Sequence, residues 1–208
     1  MDPPQYPLLA AAEVGDQATV AQLLNTDADP NERTPEGWTA LIMAAKGGHK
    51  EIVTQLLMAD AEVNPPREGK WVDPKPPEST HTALRGASIM GQLAVVKLLL
   101  ENEADPNIVS AGSRTPLMGA AMNGHHDVVT CLLENGASPS AVNTFGETAR
   151  AIAEEKGHAA IAGALREREA AAVTPSQGSQ GLSVGQAAEM MASFLEANAQ
   201  VTDKNERT

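Results

Sequence analysis

Apolar residues return along this chain in short groups of one form. Val128, Val129, Leu132 and Leu133 stand at i, i+1, i+4 and i+5, and Ile52, Val53, Leu56 and Leu57 repeat the spacing. This spacing gives a helix one apolar stripe. Before each group lies a smaller, Ala-rich segment, and a Gly followed by His or a substitute separates the two. The pattern predicts pairs of short helices joined by a tight turn.

The pairs are copies of one another. Thr115, Gly124, His125 and Leu132 become Thr148, Gly157, His158 and Leu165 at a step of 33 residues forward, and Thr82, Gly91, Gln92 and Leu99 at a step of 33 back. The next step back takes 43 residues, to Thr39, Gly48, His49 and Leu56, and 33 more reach Tyr6, Gly15, Asp16 and Leu23. One junction therefore carries a ten-residue insertion.

Each recurring residue has a local reason. The Thr hydroxyl can accept from free amides at a helix start, and a following Pro, as at Pro116, is preset for the first helical position. Gly then ends the first helix, whose small Ala residues allow close packing. Ala-Asp-Pro-Asn at 28 to 31 and 104 to 107, Ala-Glu-Val-Asn at 61 to 64 and Ala-Ser-Pro-Ser at 137 to 140 turn the chain outward after the second.

A period of 33 residues with Thr-Pro-Leu or Thr-Ala-Leu, Ala-Ala, Gly-His and a Leu-Leu pair resembles the ankyrin repeat over about residues 5 to 168. The resemblance implies an all-α solenoid with projecting β-hairpin loops. Its five units would fall at about 5–33, 34–64, 81–107, 114–140 and 145–168, within a solenoid of residues 1–169. Terminal units with one wet face lose pattern. Gly15-Asp16, Gln17 and Gln22 mark the first as a cap, and Arg150 and Glu154, at apolar and Ala positions, mark the last. Gly86 and Gly119 stand where the family usually has Leu. Since a mid-helix Gly costs up to ~1 kcal/mol against Ala, they imply either close approach of neighbouring first helices or room for a bulky side chain.

Two stretches fall outside the repeat. Residues 65–80 hold five prolines and a Gly, which excludes a helix. This insertion loop either presents Trp71 and Val72 beside the groove or folds its Trp back onto the neighbouring units. After the solenoid, 170–182 reads as a flexible linker. Ser183-Val-Gly-Gln186 then reads as a capping box, opening a helix over 183–199 with Met190, Met191, Phe194 and Leu195 on one stripe, and 200–208 reads as a disordered tail. That stripe can dock in cis, lie in a partner's groove or pair with its own copy.

Composition narrows the partners. Aromatics are 2% of the chain, which suits layers of Leu, Val and Ala. The net charge of −12, about −10 of it outside residues 174–208, argues against a nucleic-acid ligand. A single cysteine, Cys131, excludes an intrachain disulfide, no apolar run is long enough to span a membrane, and the start does not read as a signal peptide. The expectation is a monomer in a reducing cytoplasmic or nuclear setting.

Every candidate for chemistry is absorbed by the repeat. The resemblance makes His49, His125 and His158 backbone ligands between units, and Asp29, Glu62 and Asp105 turn constituents. His126 and Asp127 beside His125 point apart as helical neighbours. Cys131 takes the place of the apolar Leu98 and should be buried and inert. The expectation is therefore no catalytic residue, no metal site and no cofactor.

Function must then lie in a surface that binds a protein or peptide. Family members bind with hairpin tips and the inner face of the first helices, which here implies Trp38, Ile89, Met90 and Met122 as an apolar centre ringed by Lys46, His81 and Arg114. Trp71, Asn123 and Phe145 complete the set, with acidic Glu13, Glu147 and Glu155 towards the ends. Asn31, Asn64 and Asn107 hold the loop position that is an asparaginyl-hydroxylation target in some members. The alternative is an adaptor whose C-terminal helix recruits a second protein, such as an enzyme.

Overall fold

Four threonines set the register of the fold. In the computed structural model, which describes residues 5–64, 81–110 and 112–173, the hydroxyls of Thr39, Thr82, Thr115 and Thr148 accept from the amides of Ile42, Arg85, Met118 and Ala151 at 3.1–3.3 Å. Each satisfies an amide that the first helical turn leaves free. The helices they open are α3 (Ala40–Gly47), α5 (Ala83–Ile89), α7 (Pro116–Met122) and α9 (Ala149–Glu155). The first unit begins with α1 (Pro7–Val14), where Tyr6 supplies no such bond and Pro7 alone marks the start.

A second helix returns beside each first one: α2 (Gln17–Asn25), α4 (Lys50–Met58), α6 (Leu93–Glu101), α8 (His126–Glu134) and α10 (Ala159–Val173). The ten helices of the described residues thus form five pairs. Helices α1, α3, α5, α7 and α9 pack one on the next, and α2, α4, α6 and α8 form a parallel row behind them. Between the rows runs one continuous core. Leu56, Leu99, Leu132 and Leu165, the residues of the 33-step series, are fully buried, whereas Leu23 of the first unit is only half-buried. Full burial of each Leu contributes ~1.5–3 kcal/mol, so the wet outer face of the first unit is read directly from its weakest layer.

The turn glycine and the residue at the His position of the following unit are one device: His49 stands at Gly15, Gln92 at Gly48, His125 at Gly91 and His158 at Gly124. Gly48, Gly91, Gly124 and Gly157 all have φ between +71° and +78°, a conformation that glycine adopts without a Cβ penalty. A Cβ on Gly124 would lie 2.7 Å from His158 Cε1, and one on Gly91 2.6 Å from His125 Nδ1. Gly157, with no unit after it, has nothing within 4 Å. The imidazoles that fill these gaps reach backbone carbonyls of the preceding unit. His49 Nε2 donates to Glu13 O at 3.3 Å, His125 Nε2 to Ile89 O at 2.9 Å and His158 Nε2 to Met122 O at 3.2 Å.

The loops carry a second set of ties. Asn31 donates to Asp60 O and accepts from Glu62 N, Asn64 does the same with Glu103 O and Asp105 N, and Asn107 with Gly136 O and Ser138 N, all at 2.7–3.1 Å. Asp29 and Asp105 accept from the amides of Asn31 and Asn107, closing the turns. Glu62 differs, pairing with Arg33 at 2.8 Å.

Two expectations change. The loops expected as β-hairpins contain no strand among the described residues. Three of them are closed at the base by a single backbone bond, Thr34 N to Trp38 O, Ser110 N to Arg114 O and Asn143 N to Glu147 O at 2.9–3.0 Å, and the Ser110–Arg114 pair goes no further than an isolated antiparallel bridge. Helix α10 also runs on to Val173, so Ala170–Ala172, read as opening the linker, are helical. The chain divides into two units, Met1–Ala171 and Ala172–Thr208. The insertion loop with Trp71, and the tail helix with Met190, Met191, Phe194 and Leu195, lie outside the described residues.

Candidate functional site

The row of first helices and the loops before them carry most of the residues that the sequence nominates. Trp38 and His81, each immediately before a capping Thr, come from adjacent units, and the repeat brings their rings together at a centroid separation of 3.7 Å and an angle of 13°. Lys46 Nζ lies 5.7 Å from the centre of the Trp38 ring, within cation–π range. Burial, then the charges of Arg85 and Lys46, hold the His81 imidazole below its ordinary pKa. The ring is therefore biased towards the neutral form, which stacks on an indole without bringing a charge out of water.

Beside this stack is an open cavity of about 190 Å³ that brings together Trp38, Lys46, His81, Ile89 and Met90. A second, of about 130 Å³, adjoins α7 and α9 and is lined by Arg114 and Met122, with Glu147, Glu155 and Lys156 on its far side. Met90 and Met122 are 48% and 39% exposed, large values for thioether side chains. Of the remaining nominated residues, Asn123 bonds to Gly119 O at the end of α7. Phe145 is 75% exposed on the loop before α9, and neither residue lines either cavity.

Only one of the two unusual glycines takes a role expected of it. A Cβ on Gly86 would meet Lys46 Cβ at 3.6 Å and Ile42 O at 3.7 Å, ordinary contact, so the packing of α5 on α3 does not require a glycine there. A Cβ on Gly119 would stand 2.8 Å from Ile89 Cγ1. Gly119 is thus the gap that receives Ile89, which packs between helices and is half-buried.

The centre of this face is less apolar than expected, because Arg85 stands in it. Arg85 lines both cavities. Its Nε is buried and has no hydrogen-bond partner, and burial together with the charge of Arg114 lowers its pKa. A signal for it did exist in the sequence. At the same step after the helix-opening residue the other units place Leu9, Ile42, Met118 and Ala151. Arg85 is the charged member of an otherwise apolar column.

Outside this face the residues with chemical potential have structural explanations. Cys131 is buried at 6% exposure, and desolvation raises its thiol pKa, which suppresses the thiolate. Arg150 bridges Glu169 at 2.7 Å and Glu154 at 2.9 Å, tying α9 to the outer part of α10. Such a network suits a unit whose outer face meets water.

Comparison with known proteins accords with this geometry. A family model described as ankyrin repeats in three copies matches residues 8–110 and again residues 84–176. No curated protein matches the chain. Helix pairs stacked at a 33-residue period, with capping Thr, turn Gly and inter-unit His in register, together with a family match over more than half its length, establish that this chain belongs to the ankyrin-repeat family.

Proposed function

We propose that this chain is a non-catalytic interaction module that holds a protein or peptide on the face built by α3, α5 and α7 and their preceding loops. The family is one of protein-binding modules. The observation that carries the reading for this face is the exposure of Met90 and Met122 beside the Trp38–His81 stack and its cavity. Large, adaptable apolar side chains next to an aromatic anchor, with a charged rim, are what interface centres are made of. Lys46 and Arg114 supply that rim.

The experiment is affinity capture with the wild-type chain beside a Trp38→Ala, Met90→Ala, Met122→Ala variant whose fold is checked by circular dichroism. Loss of partner from the folded variant supports the reading, and undiminished capture moves the site to the Trp71 loop or to another face. A second contact through the C-terminal stripe of Met190, Met191, Phe194 and Leu195 would make the protein an adaptor. Deleting residues 174–208 tests it, since an adaptor loses its recruited protein while keeping the partner on the helix face. Hydroxylation of Asn31, Asn64 or Asn107 belongs to the same family reading, and mass spectrometry of the chain purified from cells tests that.

A further inference from the structure

We infer that the partner presents a carboxylate, an Asp or Glu side chain between apolar residues, and that Arg85 receives it. This rests on the helix face being the binding surface. What singles out Arg85 is that, among the described residues, no carboxylate pairs with its charge. The matching positions are Leu9, Ile42, Met118 and Ala151, so the repeat is satisfied there by an apolar residue. The guanidinium has its Nε buried without a hydrogen bond. Among the described residues its strongest electrostatic neighbour is another cation, Arg114. A desolvated cation without a counter-charge is costly; its buried Nε is out of a ligand's reach, but the terminal end of the guanidinium is not buried with it and lines both cavities, where a ligand can supply an acceptor.

Position decides what that ligand carries. Arg85 is shared by the two cavities, with Trp38 and Met90 on one side and Met122 on the other. A carboxylate centred on Arg85 would place the residues before and after it over these apolar walls. Lys46 and Arg114 stand near Arg85 in a chain of net charge −12, so the local field has the opposite sign to the protein as a whole. Long-range repulsion then disfavours strongly anionic partners, while a single buried acid is attracted locally. Glu147 and Glu155, which line the second cavity, oppose a multiply charged phosphate group there. One carboxylate with apolar neighbours fits all of these conditions, and the guanidinium fork can bind it with two parallel hydrogen bonds.

The test uses the full chain and a phage-displayed library of random dodecapeptides. The most enriched peptide is synthesised and its affinity measured by fluorescence anisotropy. The expected result is an Asp or Glu at a fixed position with apolar residues on both sides. Replacing that acid by its amide, or Arg85→Gln in the protein, should each weaken binding about tenfold or more, with no further loss when the two are combined. Arg85→Leu should likewise lose the peptide while its thermal midpoint stays at or above that of wild type, because the column accepts Leu. Enriched peptides without an acid would overturn the inference. So would a peptide that Trp38→Ala, Met90→Ala, Met122→Ala abolishes but Arg85→Gln leaves unchanged, although the helix face would then stand as the binding surface. Failure to enrich any peptide, or indifference to both sets of substitutions, would remove the inference and the surface together. A marked drop in the thermal midpoint of Arg85→Leu would show a structural role instead.

Discussion

The imidazole of His81 lies flat on the indole of Trp38, 3.7 Å away, across the junction that carries the insertion. Its proton equilibrium is therefore tied to the fold. With the folded pKa held below the ordinary 6.5 by burial, Arg85 and Lys46, the unfolded chain binds the proton more readily than the folded one. The contribution of His81 to stability is complete above pH 6.5 and is lost progressively as pH falls from there to the folded pKa. The difference in urea midpoint between wild type and His81→Phe should accordingly shift in favour of the variant between pH 7 and 5. A difference independent of pH would show that the ring is not desolvated.

Gly86 and Gly119 predict opposite signs for the same substitution. A methyl at Gly86 enters ordinary contact with Lys46 and Ile42, so Gly86→Ala should gain up to ~1 kcal/mol from helix propensity. At Gly119 it meets Ile89 Cγ1 at 2.8 Å, and Gly119→Ala should lose ~1–2 kcal/mol. Adding Ile89→Ala should relieve that clash, so the double variant should be more stable than the two single losses predict. Equilibrium denaturation of wild type and the four variants measures all of these terms.

His125 joins two units through Ile89 O at 2.9 Å, and its ring fills the space under Gly91. His125→Ala should cost ~1–2 kcal/mol by leaving a carbonyl without its donor and a gap beneath the turn. Because stability in a repeat array depends on nearest-neighbour interfaces, hydrogen exchange should rise first in α5 and α7, on either side of the lost contact.

Cys131 should react slowly with iodoacetamide in the native state. Burial and a raised pKa both suppress the attacking thiolate. The modification rate at pH 8 should increase by orders of magnitude in 6 M urea, and equal rates in the two conditions would contradict the packing of α8.

The repeating residues made most of the fold legible, because each one answers a local demand. Thr39, Thr82, Thr115 and Thr148 were readable as caps since a helix start always leaves amides free, and the structure places an amide at each hydroxyl. The candidate face was legible only in outline. Trp38, Lys46, His81, Ile89 and Met90 line one cavity and Arg114 and Met122 the next, but Asn123 and Phe145 line neither. Arg85 is legible as the charged member of an otherwise apolar column, but what its charge faces is visible only once stacking sets its neighbours.

The order of residues along the chain specifies the unit: its helix pair, its caps, its apolar stripe and the period at which these recur. How neighbouring units use the same residue type depends on their stacking. Stacking left room for a methyl at Gly86 but made Gly119 a socket, laid His81 on Trp38, and left the Nε of Arg85 buried and unpaired in a side chain shared by two cavities. Caps and stripes are satisfied within a dozen residues of chain, whereas desolvation and contact depend on side chains about 30 residues or more away, which only stacking brings near.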